Sequence, residues 1–307
     1  MNRKRLLIGL LVFLNFSIFF KAACCRGGNK LVPSKTTGNW NEIKTFNDLT
    51  PGTIKKLETF LTKVFGNSFF VMTNPPLTLV SEYSAEHTNR IMNSTLMPFI
   101  DTMNRVYFDK KPDKPLVVLL FRGQKAYRSW GNKLFGEKTP PYFGYFMSDG
   151  RTLVMDYETG SGTLLHELTH ALINYDFPSV PTWFNEGFAS LFEACQFYEH
   201  DIKGVLNWRL PILKEALKNN SLRKLEDIFK DPEFYGDKHQ NLNYAQSRYL
   251  ALFLQRNNLL VKFYKEFRLK SMGGKKADPV KILEDVTGEK FTDFENSFVN
   301  WLGSLRQ

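Results

Sequence analysis

The first half of the chain combines short apolar runs with amphipathic segments, which indicates strands packed against helices. Residues 115–121 form a continuous apolar run that predicts a strand buried on both faces. Two further strands, 142–147 and 152–157, flank an Asp-Gly turn at 148–151 and predict a hairpin. Residues 69–80 also have strand composition. These segments predict a small sheet.

Helical spacing of apolar residues predicts the other elements. In the first half we expect helices at 53–65, 87–108 and 124–135, the second of them kinked or divided at Pro98. After residue 160 every long segment has helical spacing. The helices expected there span 163–175, 183–199, 203–218, 221–230, 241–256, 258–270, 278–286 and 291–304. Strands in the first half and helices in the second predict an α+β fold.

Composition excludes several classes of protein. The 307 residues are 23% charged and 15% aromatic, which is ordinary globular composition and excludes intrinsic disorder. Three cysteines cannot form a disulfide framework. The net charge is +10, but no RNA-binding or helix-turn-helix pattern accompanies the basic residues, so we expect no nucleic-acid partner.

The N-terminus has the order of an export signal. Three basic residues, 3–5, precede fifteen mostly apolar residues, 6–20, and then small residues before Cys24. Fifteen residues fall short of the roughly 20 that a membrane-spanning helix needs. A signal anchor is still the second choice, because the long side chain of Lys21 could reach the membrane surface while its backbone lies within the membrane. The residues before Cys24 are similar to a lipobox, so lipid attachment at Cys24 and plain cleavage both stay open. We expect an extracytoplasmic location, either secreted, periplasmic or membrane-anchored.

These patterns divide the chain into segments. We expect a signal over 1–25, a tether over 26–40 and a single domain over 41–305. The domain comprises an α/β half, 41–160, and a helical half, 161–305.

The segment His166-Glu-Leu-Thr-His170 carries the H-E-x-x-H pattern. On a helix the two histidines are one turn apart and project to the same side, at a distance that allows chelation of a metal ion. Glu167 lies about 100° round the helix from His166, where it can reach a water on the metal without binding the metal itself. Two solvated histidines on a surface helix are the alternative.

A catalytic zinc ion needs a third protein ligand and an open fourth position. Glu186 is the candidate, because Thr182 can cap a second helix that returns antiparallel to the first and carries Glu186 in its opening turns. Gly187 removes a side chain where two helices need to approach closely. Asp176 is a weaker alternative, because it follows His170 in a loop.

The motifs resemble those of the gluzincin metallopeptidases. The closer likeness is to the peptidase MA-like domains of exported bacterial proteins and lipoproteins. A more distant likeness is to the M1 aminopeptidases, whose upstream G-x-M-E-N sequence is absent here. The likeness covers roughly 115–303. The motifs that carry it are H-E-x-x-H at 166–170, Trp183-x-x-Glu186-Gly187, Tyr244-Ala-Gln-Ser247 and Asp285-Val-Thr-Gly288.

The resemblance implies a zincin-like, thermolysin-type fold, with a small mixed sheet, a hairpin edge strand and a mostly helical second half. It implies a Zn²⁺ ion held by His166, His170 and Glu186, with Glu167 as the general base. It also implies an edge strand that pairs with extended substrate, for which 152–157 is the expected segment.

A further residue is expected to donate a hydrogen bond to the oxyanion of the reaction. By its place in the Tyr-Ala-Gln-Ser motif the resemblance assigns this role to Tyr244, with Tyr249 and His239 as alternatives. Glu193 could orient a histidine ligand without binding the metal itself, although a solvated side chain is the preferred interpretation of this residue.

The predicted function is that of an exported zinc metallopeptidase acting on a peptide or protein substrate. The alternative is a non-catalytic cell-surface binding module that keeps the zincin fold, because intact motifs do not prove turnover. A basic lipoprotein with fortuitous histidines is a third possibility, and it predicts no bound metal.

Overall fold

A computed structural model describes residues 40–136, 142–274 and 276–306. The predicted export signal, Cys24 and nearly all of the predicted tether lie outside these residues. Trp40, the last residue assigned to the tether, is instead buried, and its ring lies 6.2 Å from that of Phe60. In the described part of the chain, no helix has both the length and the apolar character needed to span a membrane.

The described residues form a mixed α+β structure that is mostly helical. The helices are α1 Pro51–Phe65, α2 Ala85–Ile91, α3 Met97–Val106, α4 Gln124–Phe135, α5 Ser161–Asp176, α6 Thr182–Leu191, α7 Leu210–Lys218, α8 Leu225–Phe229, α9 Gln240–Arg256, α10 Leu260–Lys270, α11 Pro279–Thr287 and α12 Phe291–Ser304. The strands are β1 Phe70–Asn74, β2 Leu77–Ser81, β3 Leu116–Phe121, β4 Gly144–Met147, β5 Thr152–Asp156, β6 Cys195–Phe197 and β7 Ile202–Gly204.

Five strands form one mixed sheet in the order β1-β2-β3-β5-β4. The three inner strands are parallel, and β1 and β4 join the edges as antiparallel hairpin partners. All of β3 is buried, because alternate side chains enter two cores on opposite faces of the sheet. This confirms the buried strand that the apolar run at 115–121 predicts.

The prediction that 152–157 forms the edge strand is wrong. β5 pairs with β3 on one side and with β4 on the other, so it lies inside the sheet. The hairpin turn at 148–151 therefore places β4, the strand before the turn, at the edge. Parallel pairing between β5 and β3 decides this arrangement, and a hairpin pattern alone does not reveal which of its strands pairs inward.

Two helix predictions have different outcomes. The segment around Pro98 is divided as expected, because a π-helix at Met92–Leu96 separates α2 from α3. The predicted helix 183–199 is wrong beyond Leu191, since β6 and β7 form a separate hairpin. Arg248 Nε donates to the carbonyl of Ser190 at 2.9 Å, so a distant side chain binds the end of α6.

Close helix packing positions the functional part of the fold. α5 lies against β4, β5 and α6, and α6 packs tightly on α9. A Cβ atom at Gly187 would lie only 2.6 Å from the carbonyl oxygen of Ser247 in α9. Gly187 does lie at a close approach between helices, as predicted, but its partner is α9 rather than α5.

Candidate metal centre

Three side chains from α5 and α6 converge on one point in the interior. His166 Nε2 lies 3.0 Å from His170 Nε2, and these atoms lie 3.4 and 3.5 Å from Glu186 Oε2. All three residues are buried, and Glu186 is completely inaccessible to solvent. The structure therefore brings together the three residues that the sequence predicts as metal ligands.

The spacing of these donor atoms fits a tetrahedral zinc ion. Ligands bound at zinc–ligand distances of 2.0–2.1 Å with tetrahedral angles are about 3.3–3.4 Å apart. The three observed separations, 3.0, 3.4 and 3.5 Å, lie close to that value. Glu186 Oε2 is also buried without a hydrogen-bond partner among the described residues, a condition that a bound cation would relieve. The residues present thus suit a His₂Glu metal site.

The outer nitrogen of each histidine faces an acceptor. His170 Nδ1 lies 2.9 Å from Asn185 Oδ1, and His166 Nδ1 lies 3.1 Å from Glu193 Oε1. The second pair is an ion-pair contact rather than an aligned hydrogen bond. An acceptor at Nδ1 favours the proton there, which leaves the Nε2 lone pair free to face the centre.

Glu193 is buried, so the preference for a solvated side chain is wrong. Its side chain is 6% exposed, and its carboxylate accepts two hydrogen bonds from Arg209, at 2.8 and 3.2 Å. Burial alone would raise the pKa of Glu193, but Arg209 and His166 outweigh it and lower that pKa to about 2. Glu193 is therefore an anion held behind His166.

Without a bound ion, the pKa values of His166 and Glu186 are shifted strongly by the charged groups around them. Burial disfavours the charged form of His166, yet contacts with Glu186 and Glu193 raise its pKa to about 10. Burial likewise opposes ionisation of Glu186, and the two histidines hold its pKa well below the usual range. Two carboxylates thus create a strongly cation-favouring environment around the histidines.

Glu167 lies beside the centre and is not part of the donor set. Its side chain is buried, and burial raises the pKa of its carboxyl, an effect that His166 and His170 oppose. The backbone of Phe146 in the edge strand β4 also interacts with this carboxylate. Glu167 therefore connects the centre with the edge of the sheet.

Two tyrosines, Tyr235 and Tyr244, lie close to Glu186. The Tyr235 hydroxyl donates to Glu186 Oε1 at 2.8 Å. Tyr244 is buried, its hydroxyl has no hydrogen-bond partner among the described residues, and its pKa is raised by burial and by Glu186. Tyr249, the first alternative, accepts a hydrogen bond from the backbone N–H of Asn207. The second, His239, is half-buried and precedes α9.

Asp176, the alternative third ligand, is used elsewhere. It accepts a hydrogen bond from the Tyr264 hydroxyl at 2.9 Å and pairs with Arg268 at 3.1 Å. These contacts hold the C-terminal end of α5 and keep Asp176 out of the metal centre.

Three residues that surround the centre were not predicted from the sequence. Asn185 has a weak signal, because it precedes a candidate ligand on the same helix. Tyr235 and Arg209 have none, because Tyr235 lies between α8 and α9, Arg209 lies between β7 and α7, and both reach the site only through the tertiary fold.

Comparison with known proteins gives little further information. No protein-family model matches the chain, and no curated protein matches it either. One similar solved structure is that of native leukotriene A4 hydrolase from Saccharomyces cerevisiae, with a TM-score of 0.37 and 14% sequence identity. The similarity covers 73% of this chain and 38% of that chain, so this chain spans well under half of that hydrolase. At this level the likeness establishes neither a shared fold nor a shared activity.

Proposed function

We propose that the protein is an exported zinc-dependent metallopeptidase with a zincin-like, thermolysin-type core. The observation that carries the proposal is the convergence of His166 Nε2, His170 Nε2 and Glu186 Oε2 at separations that suit tetrahedral zinc. These three residues would hold the ion. A zinc ion bound there would supply Lewis acidity and lower the pKa of a water molecule.

Glu167 would act as the general base. Its carboxylate removes a proton from the attacking water and passes that proton to the leaving amine. A raised pKa suits this task, because a base works best when its pKa is near the working pH. The Tyr244 hydroxyl, which is buried beside Glu186, would donate a hydrogen bond to the carbonyl oxygen as negative charge develops on it.

The edge strand β4 would bind the substrate backbone. Among the described strands β4 pairs only with β5, and an extended peptide would add to its other side. The backbone of Phe146 in this strand interacts with the carboxylate of Glu167, so a peptide bound along this edge would lie near the base. Backbone pairing favours peptide or protein substrates with little sequence preference.

The proposal includes a location outside the cytoplasm, directed by residues 1–25. Attachment to a membrane through a lipid on Cys24, attachment through a signal anchor and release after cleavage are separable outcomes. Mass spectrometry of the mature protein distinguishes them by the identity and modification of the first residue.

The experiment compares the wild type with Glu167→Gln and with the control Asp176→Asn. Both variants neutralise a buried acid on α5, but Asp176 lies outside the metal centre. We expect all three proteins to bind one zinc ion. Cleavage of an unstructured protein should fall at least about 100-fold in Glu167→Gln only.

The other outcomes are equally informative. Zinc binding by the wild type without cleavage of any peptide supports the non-catalytic binding module. A wild type that binds no zinc refutes both the peptidase and the metal centre. Equal loss of activity in the two variants shows that Glu167 acts through stability rather than through chemistry.

A further inference from the structure

Arg209 is a buried arginine that contacts two different parts of the metal centre. It directly precedes α7, and 3% of its surface is exposed. Its backbone N–H donates to Asn207 Oδ1 at 3.1 Å, so the loop before α7 holds the residue in place. A buried arginine has to satisfy its charge within the protein, and the partners of Arg209 show how it does so.

The first contact runs through Glu193 to a metal ligand. Arg209 Nη2 lies 2.8 Å from Glu193 Oε1, and Nε lies 3.2 Å from Oε2. Glu193 Oε1 is also the atom that lies 3.1 Å from His166 Nδ1. One carboxylate oxygen thus receives both the arginine and the histidine. The two-point contact with Arg209 fixes the plane of the carboxylate and, through it, the orientation of the imidazole.

The second contact reaches Tyr244. The guanidinium carbon of Arg209 lies 5.1 Å from the centre of the Tyr244 ring, which is within the range of a cation–π interaction. Two aromatic rings also lie near this ring, Phe234 at 5.4 Å and Tyr235 at 6.3 Å between centroids. The guanidinium group therefore contacts the Tyr244 ring of α9 as well as the carboxylate of Glu193.

We propose that Arg209 is a positioning residue that fixes His166 through Glu193 and, at the same time, fixes the ring of Tyr244. The inference rests on the proposed function, because the centre that Arg209 orders is taken to bind zinc. A lysine cannot reproduce this arrangement fully, since its ammonium group makes neither the planar two-point contact nor the stacking. Lysine does preserve the positive charge beside Glu193.

The test uses Arg209→Gln and Arg209→Lys, with Arg268→Gln as the matched control. Arg268 is also largely buried and also pairs with a buried carboxylate, Asp176, at the far end of α5. Removal of either arginine should lower thermal stability. Only Arg209→Gln should weaken zinc binding, by roughly 10- to 100-fold, as expected for the loss of a group that orients a ligand. Arg209→Lys should recover part of that loss.

Two further measurements separate positioning from a general structural effect. The absorption spectrum of the Co²⁺-substituted protein reports the ligand geometry, and it should change in Arg209→Gln and not in Arg268→Gln. If Arg209→Gln does not fold, Glu193→Gln removes the same link with little change in shape, and it should show the same loss of zinc affinity and the same spectral change.

The inference and the proposed function fail in different ways. If wild type and Arg209→Gln bind zinc equally, or if Arg268→Gln loses as much affinity as Arg209→Gln, the role of Arg209 is refuted and the peptidase proposal stands. If the wild type binds zinc but cleaves no peptide, the peptidase proposal is refuted, while the affinities still decide the role of Arg209. A wild type without zinc affinity refutes both.

Discussion

The contact between Gly187 and α9 tests how the fold holds Glu186, the third candidate ligand. A Cβ atom at this position would lie 2.6, 2.7 and 2.8 Å from the O, C and Cβ atoms of Ser247. Two of these atoms belong to the backbone, so no side-chain rotation can remove the overlap. Gly187 also follows Glu186 directly, and the substitution Gly187→Ala therefore acts on the metal centre as well as on the packing.

The expected effect follows from these distances. Carbon atoms in contact are usually about 3.5–4.0 Å apart, so α6 has to retreat from α9 by roughly 0.7–1 Å. Overpacking usually costs about 1–3 kcal/mol, and overlap with backbone atoms puts this case in the upper part of that range, at about 2–3 kcal/mol, of which alanine regains about 1 kcal/mol through its higher helix propensity. We expect a net loss of about 1–2 kcal/mol and a Tm lowered by roughly 2–6 °C. The shift of Glu186 should weaken zinc binding roughly 10-fold.

The assay is thermal unfolding with and without zinc, together with zinc titration against a competing chelator. Gly303→Ala is the control, because Gly303 lies in α12 and a Cβ atom there meets no other atom within 4 Å. The control should be at least as stable as the wild type. If Gly187→Ala matches this control in Tm and in zinc affinity, the close packing of α6 on α9 does not hold Glu186, and the reasoning is refuted.

Three further predictions concern the surroundings of the centre. Tyr235→Phe removes the donor to Glu186 Oε1 and should weaken zinc binding roughly 10-fold, whereas unchanged affinity in a chelator titration would contradict this. The pKa of Glu193 is about 2 in the folded protein, below its ordinary 4.5, so its contribution to stability is complete above pH 4.5 and is lost as the pH falls towards 2. Acid unfolding of metal-free Glu193→Gln should therefore depend less on pH in that range, and identical profiles would refute the assignment. The pKa of His166 is raised from 6.5 to about 10 without metal, so its stabilising contribution is complete below pH 6.5 and is lost as the pH rises through about 10. Zinc binding at pH 8 should then release a proton from His166, which calorimetry in two buffers of different ionisation enthalpy would detect, and zinc binding without proton release would contradict the shift.

Much of the candidate centre could be predicted because its central pattern is local. The separation of His166 and His170 by one helical turn follows from the period of the α-helix and needs no knowledge of the rest of the fold. The strand at 115–121 and the turn at 148–151 could also be predicted, because an apolar run and an Asp-Gly turn depend only on residues adjacent in the chain. The position of Glu186 in a second helix also made it a candidate from the sequence, but its convergence with the histidines requires two helices to meet, and only the tertiary structure decides that.

The tertiary structure alone decided which strand lies at the sheet edge, where α6 ends and what surrounds the metal ligands. Each of these depends on pairing between groups far apart in the chain: β5 with β3, Arg248 with the end of α6, and Arg209 with Glu193. A helical period or an apolar run is set by neighbouring residues, and the sequence therefore determined the histidine pair and the buried strand. A buried charge instead takes whichever partner the folded chain brings to it, so the partners of these ligands became known only from the fold.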